Sequence, residues 1–263
     1  MTPMLSLVRR HQLSTFFGLT LGLTWLAFIP FCLSHGDSIP WFTFGPMISG
    51  FIVAAVSGRW SSVRAILSAM VRWRVRPIWY LVAFGLPFGT QLTSILINPL
   101  LGAAAPAWGN IPALSEMLPI IALYAVFSGP LGEEPGWRGF ATPRLFASQP
   151  ALAGSLTLGV IWAIWHFPLG LVGDLSLYGT INVVLAGVVF TWLYQNTGSV
   201  LLAIIMHVTH QNSVRFLGKV FIGGDYVQQQ WIAVAIWAII AVAIIAYYGT
   251  ESFVRRRTAA LAA

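Results

Sequence analysis

Charge is what this sequence lacks. Only 8% of its 263 residues are Asp, Glu, Lys or Arg, where an ordinary soluble domain has about 25%. A chain that is 57% hydrophobic, with a mean hydropathy of +0.80, cannot cover a water-facing surface. That excludes a soluble globular protein and makes the bilayer the solvent. Cysteine is scarce too. Cys32 stands alone, which excludes an internal disulfide and a cysteine cluster around a metal. No His-Glu-x-x-His run marks a helix-borne zinc site, and nothing nominates a serine or cysteine nucleophile. Low-complexity linkers, internal repeats and long polar segments are also missing. The chain therefore reads as one integral membrane domain over residues 1–263.

What is there is a series of apolar stretches. Eight are long enough to approach or cross a hydrocarbon core of about 30 Å. They run over roughly 14–33, 41–58, 78–98, 117–141, 152–172, 180–196, 199–217 and 230–248. In lipid each span must satisfy its own backbone, so these are helices. The fold class is all-α, a polytopic transmembrane bundle of about eight helices. In a bacterial host its location is the plasma (inner) membrane. The first stretch follows Arg9 and Arg10, but it exceeds a signal-peptide apolar region and no small-residue cleavage site follows it. It reads as a retained helix.

The net charge of +7 has a topological explanation, so membrane lipid and no nucleic acid is expected as a partner. Twelve of the fourteen basic residues fall toward one side: Arg9, Arg10, Arg59, Arg64, Arg72, Arg74, Arg76, Arg138, Arg144, Arg255, Arg256 and Arg257. Only Arg215 and Lys219 fall toward the other. The positive-inside rule then puts both termini in the cytoplasm. Between Arg59 and Arg76, arginines alternate with apolar residues. That stretch reads either as a basic amphipathic helix on the leaflet or as an ordinary positive loop.

Ionisable side chains inside spans cost at least about 2.5–3.5 kcal/mol each near the bilayer centre, so they mark candidate sites. Three places qualify. In Gly132-Glu133-Glu134-Pro135-Gly136-Trp137-Arg138-Gly139, Glu134 and Arg138 are four apart and share a helix face. That leaves Glu133 on a neighbouring face. Pro130 and Pro135 loosen the helix there. The same residues also suit a helix end near Leu131 followed by a charged loop. His166 closes Trp162-Ala163-Ile164-Trp165-His166 with Trp162 one turn back; a core histidine bonded to a backbone carbonyl would look the same. The third place is His207-Val208-Thr209-His210-Gln211-Asn212, where four polar side chains in six residues suit either a site or interhelical hydrogen bonding. With helix ends chosen near Pro143, Leu156 and Gly198, Glu133, His166 and His207 each lie about ten residues, or ~15 Å, from the cytoplasmic surface.

In order and spacing these motifs resemble the CAAX protease and bacteriocin-processing family (CPBP, or Abi) of intramembrane metalloproteases, the type II CAAX prenyl endopeptidases included. Its pattern is Glu-Glu-x-x-x-Arg, Phe-x-x-x-His and His-x-x-x-Asn on successive helices. Here the first motif is complete at Glu133, Glu134 and Arg138. The second is Trp162-x-x-x-His166, with Trp for Phe, and the third is His207-x-x-x-Gln211, with Gln for Asn. The likeness covers about 118–213. It implies a bundle of about eight helices around a polar cavity, and a membrane-associated or prenylated, CAAX-like peptide or protein as substrate.

By motif position Glu133 is implied as catalytic base, His166 as a partner of the water, and His207 with Gln211 as oxyanion donors. Glu134 and Arg138 are implied as a structural pair. His210 and Asn212 are additional candidates, Asn212 as a substitute for the family Asn. Peptide hydrolysis needs a base and oxyanion donors, and a neutral His or an amide can donate. Glu133, His166 and His207 would also suit a divalent metal, zinc if any. Two other readings stay open. One is a catalytically silent immunity or scaffold protein of the same family. The other is a transporter using the same residues as a proton path. The arginine asymmetry predicts that reporter fusions after residues 75 and 145 report cytoplasm and fusions near 108 and 175 the opposite side; a cytoplasmic signal at 108 would break the span order.

Overall fold

The computed structural model describes the backbone of residues 3–33, 41–127 and 129–254. Arg255, Arg256 and Arg257, invoked above for orientation, lie outside the described residues, as do the side chains of Cys32 and Arg59. Among the described residues there are helices and no strands. In chain order they are α1 (Pro3–Arg10), α2 (Gln12–Leu33), α3 (Gly45–Met70), α4 (Ile78–Ile97), α5 (Leu114–Phe127), α6 (Pro130–Glu134), a π-helical turn (Pro135–Ala141), α7 (Thr142–Phe146), α8 (Ala151–Trp165), α9 (Phe167–Leu171), α10 (Leu177–Thr197), α11 (Val200–Leu217) and α12 (Gly223–Tyr248).

Each expected span has a helical counterpart. Five stretches are long and apolar enough to cross a bilayer on their own: Gln12–Pro30, Ile78–Leu101, Leu114–Phe146, Leu177–Thr197 and Gly223–Tyr248. In α3 and α8 the apolar stretches are shorter, Gly45–Ser57 and Ala151–Trp165. α11 carries the polar run from His207 to Asn212 and is correspondingly less apolar. This makes the chain an all-α, multi-pass membrane bundle.

Three segments differ from the simple spans. α3 runs through to Met70 as one helix, so there is no separate surface helix over 59–76. Its continuation buries Val63, Ile66 and Ala69 and leaves Arg64 and Leu67 exposed, so up to Met70 the alternation is that of a helix with one buried and one exposed face. The fourth span is broken. Gly129 has φ +131°, and from Pro135 the ladder widens to a π turn in which the Thr142 N–H reaches the Trp137 carbonyl five residues back. Pro135 has no N–H to offer the α register, so the slip costs little there. The fifth span stops at Trp165, with His166 as its C-cap and the short α9 beyond. Pro168 has no N–H to continue the ladder to the Ile164 carbonyl, consistent with the break.

Hydrogen bonds divide the bundle into two poles. At one, Ser199 Oγ donates to the Arg72 carbonyl (2.6 Å), Arg144 Nε to Gln12 Oε1 (2.8 Å), Ala151 N to the Glu251 carbonyl (2.9 Å) and Asn196 Nδ2 to the Phe253 carbonyl (2.9 Å). Both described ends of the chain meet here with arginines from three elements. At the other pole Ala107 N donates to the Val220 carbonyl (2.9 Å) and Asn110 Nδ2 to the Lys219 carbonyl (3.2 Å).

The core between the poles is aromatic. Phe16, Trp137, Phe140, Phe190 and Trp237 are fully buried. Trp137 meets the edges of Phe16 at 5.6 Å and Trp165 at 6.1 Å between centroids. What positions the acidic segment is its approach to α3. A Cβ on Gly136 would lie 2.3 Å from the Pro46 carbonyl oxygen, a clash with backbone that only glycine avoids. In lipid, small residues are what let helices come this close. Gly136→Ala is therefore expected to cost about 1–3 kcal/mol, the usual penalty of overpacking, read as a lower thermal midpoint in detergent. Gly89→Ala, with nothing within 4 Å of its Cβ position, should leave the midpoint unchanged.

Candidate active site

The buried end of α6 and the π turn deliver three charged side chains to one place. Glu133 is 2% exposed, and Glu134 and Arg138 are fully buried. The spacing of four brings Arg138 Nη1 to both oxygens of Glu134, at 3.2 Å from Oε1 and 3.1 Å from Oε2. The pair expected from the sequence has a third member. His207 Nδ1, on α11, lies 2.8 Å from Glu134 Oε1. Arg138 also stacks its guanidinium over Trp162 (4.5 Å to the ring centroid) and Phe190 (5.0 Å). That is the geometry in which a buried cation gains from aromatic faces.

Trp162 is the hub. Its indole Nε1 donates to Glu133 Oε2 at 2.6 Å. The rings of His207 and His166 lie against it at 5.4 and 5.8 Å between centroids. Glu133, His166, His207 and Arg138 thus converge on one side chain, although they come from α6, the α8 end, α11 and the π turn. Gly129 closes the other side of Glu133. A Cβ there would clash with Glu133 Oε1 and would lie 3.9 Å from His207 Cε1, so only glycine lets the chain pass this close to both side chains.

The hydrogen bonds assign tautomers. The Trp162 carbonyl accepts from His166 Nδ1 at 2.8 Å, the backbone bond weighed in the sequence reading. A carbonyl only accepts, so Nδ1 carries the proton and Nε2 of a neutral ring holds the lone pair. For His207 the expectation of a neutral donor needs correction. An ionised Glu134 only accepts, so His207 Nδ1 donates to it. The ring then donates from Nε2 only when doubly protonated, and accepts there when neutral.

Not every candidate joins the cluster. His210 Nε2 accepts from Asn182 Nδ2 at 2.8 Å, and its ring meets Trp237 at 5.1 Å. It therefore faces α10 and α12, because three residues turn a helix by about 300° from His207. Asn212 donates from Nδ2 to the Val208 carbonyl of its own helix at 2.8 Å, so that amide bond is spent within α11. Gln211 is half-buried one turn beyond His207.

Among the described residues no three His, Cys, Asp or Glu side chains form a group able to hold a metal ion. Glu133, His166 and His207 meet around the Trp162 ring, with one atom of each already in the bonds above. Those bonds use Glu133 Oε2, His166 Nδ1 and His207 Nδ1; no step below runs through a metal.

The Trp162 bond was not foreseen. Its signal was present, since Trp in place of Phe adds a buried N–H that must find an acceptor.

Similarity to known proteins falls on the same segment. Residues 115–212, which hold every residue of the cluster, match the family model described as type II CAAX prenyl endopeptidase Rce1-like. Over that segment the chain is similar to the Rce1-like family. It is also similar to the CAAX prenyl protease 2 of Methanococcus maripaludis, 28% identical over 139 residues, which is 48% of this chain and 47% of that protein. The match thus spans about half the length of the curated relative. The first hundred residues, outside the matched segment, supply α3, whose N-terminal end seats the acidic segment.

Within the matched segment the Arg138 guanidinium is what makes two adjacent buried carboxylates tolerable. Arg138→Ala is expected to destabilise the protein by about 3–5 kcal/mol, the usual cost of leaving one partner of a buried pair behind. The double variant Glu134→Gln/Arg138→Ala should recover part of that loss. Thermal unfolding in detergent measures both; equal losses in the two would mean that Arg138 acts through packing and not through charge.

Proposed function

We propose that this protein is an intramembrane endopeptidase that hydrolyses a peptide bond of membrane-associated, prenylated CAAX-type substrates with a Glu133-activated water. The observation that carries this reading is the convergence of two fixed groups on the Trp162 ring. Glu133 is held by the Trp162 indole at 2.6 Å, and His207 is held by Glu134 at 2.8 Å. Similarity to the Rce1-like family and to a CAAX prenyl protease 2 supports the reaction class.

In this mechanism a water sits between Glu133 Oε1 and His166 Nε2, both acceptors. Glu133 takes one proton as the water oxygen adds to the substrate carbonyl carbon. Charge develops on the carbonyl oxygen and is met by Nε2–H of a doubly protonated His207, whose positive charge Glu134 balances from the other side. The Gln211 amide is the second donor. Collapse of the tetrahedral intermediate breaks the C–N bond, and Glu133 returns its proton to the leaving amine nitrogen. Trp162 holds the carboxylate in line for both transfers. Both termini are assigned to the cytoplasm, and the membrane is the plasma (inner) membrane in a bacterial host.

The test is cleavage of a farnesylated CAAX peptide by the purified protein. Wild type should release the C-terminal fragment, and Glu133→Gln should abolish release while keeping the wild-type thermal midpoint to within a few degrees. Trp162→Phe keeps a ring but removes the donor. It is expected to lower kcat about 10–100-fold with little change in KM, the signature of a lost transition-state interaction. No cleavage of lipidated or unlipidated peptides by wild type would remove the reading, as would full activity in Glu133→Gln.

A further inference from the structure

At the pole away from the arginine-rich end, the C-terminal end of α11 and the start of α12 border an open cavity of about 670 Å³ lined by Asn110, Arg215, Lys219, Phe221, Ile222 and Tyr226 among others. It holds the two basic side chains that break the arginine asymmetry, and none of its lining residues is acidic. Arg215 lies flat over Tyr124 of α5, 3.6 Å from the ring centroid. Its Nε is buried with no hydrogen-bond partner among the described residues. Stacking fixes the plane of the guanidinium without using its N–H edge, and a buried N–H left unpaired costs about 1–3 kcal/mol. Lys219 is exposed on the same wall. The acid next along the chain, Asp225, is turned to another task, with Oδ2 accepting from Ala104 N at 3.0 Å.

The surroundings say what kind of anion this is. Tyr178 meets Tyr226 at 6.4 Å and Trp231 at 6.1 Å between centroids, edge to face. Such a cluster of Tyr and Trp at a span end marks the level of lipid headgroups. The rim is apolar and bare, with Ile222 81% exposed and Val227 and Trp231 beside it. A stacked guanidinium with an unpaired Nε–H, an exposed ammonium and an apolar rim beside them match a phosphodiester with acyl chains attached. We propose that the Arg215–Lys219 cavity binds the phosphate of an anionic lipid headgroup. The site stands apart from the Glu133 cluster and does not depend on the reaction proposed above.

Native mass spectrometry of the detergent-purified protein tests it, with titration of phosphatidylglycerol, phosphatidylcholine and inorganic phosphate. Phosphatidylglycerol should remain bound, and at least 10-fold more tightly than phosphatidylcholine. Arg215→Gln/Lys219→Gln should weaken it about 10–30-fold, in line with the contribution of two basic residues at a membrane surface. Because Arg215 also packs on Tyr124, Lys219→Gln alone is the control for folding, and a 3–5-fold loss is expected from that exposed position. Equal retention of the two lipids, or unchanged binding in the double variant, overturns the proposal. Binding of inorganic phosphate as tight as that of the lipid would make the ligand a free anion and overturn it as well. Displacement of phosphatidylglycerol by a peptide with a free C-terminus but not by its amide would assign the cavity to a peptide carboxylate instead.

Discussion

The Glu134 carboxylate is the interaction on which the site depends. It is fully buried and is shared between Arg138 of its own segment and His207 of α11. Alone in a low-dielectric interior it would be prohibitively costly. Paired twice, it ties two helices together and turns the imidazole of His207 toward Glu133. Arg138 in turn needs the Trp162 and Phe190 faces, because a single carboxylate does not use all the N–H groups of a guanidinium. The charges, the aromatic rings and the helix positions are therefore one arrangement, and removing any member exposes the cost of the others.

That arrangement needs the acidic segment to lie close against α3, and the segment is built for it. Gly136 allows backbone contact with Pro46. Gly129, at φ +131°, lets the chain turn into α6 without a side chain intruding on Glu133. The π turn after Pro135 then places Trp137 and Arg138 on the inward side, both fully buried. Irregular backbone at this depth is tolerable because it is covered by protein on every side.

Much of this was legible in the sequence. Apolar run lengths located eight helical rods, and the spacing of Glu134 and Arg138 located their pair, since both depend on local geometry that composition reveals. The pattern of three motifs located the helices that meet. Less legible were features set by the tertiary partner. That Glu134 and not Glu133 holds His207 depends on which face α11 presents, and a spacing along one helix says nothing about the rotation of another. His210 and Asn212 looked equivalent to His207 as polar residues on a membrane helix, yet the helical turn sends His210 to Asn182 and Trp237. The depth reading, which treated the fourth and fifth spans as straight helices, missed the breaks at Gly129 and His166. Trp162 was the clearest signal underused: an indole one turn before a histidine reads as packing until its N–H is asked to find an acceptor.

The pairing of Glu134 with Arg138 also sets an order of assembly. Partners four residues apart leave the ribosome together and can neutralise each other while their own segment inserts into the membrane, before any other helix of the cluster exists. His207 follows 73 residues after Glu134, on a helix that inserts three spans later. A charged segment that would otherwise resist insertion can thus wait in the bilayer as a nearly neutral unit. The arrival of α11 then completes the cluster, so that the site closes only when its last contributing span is in place.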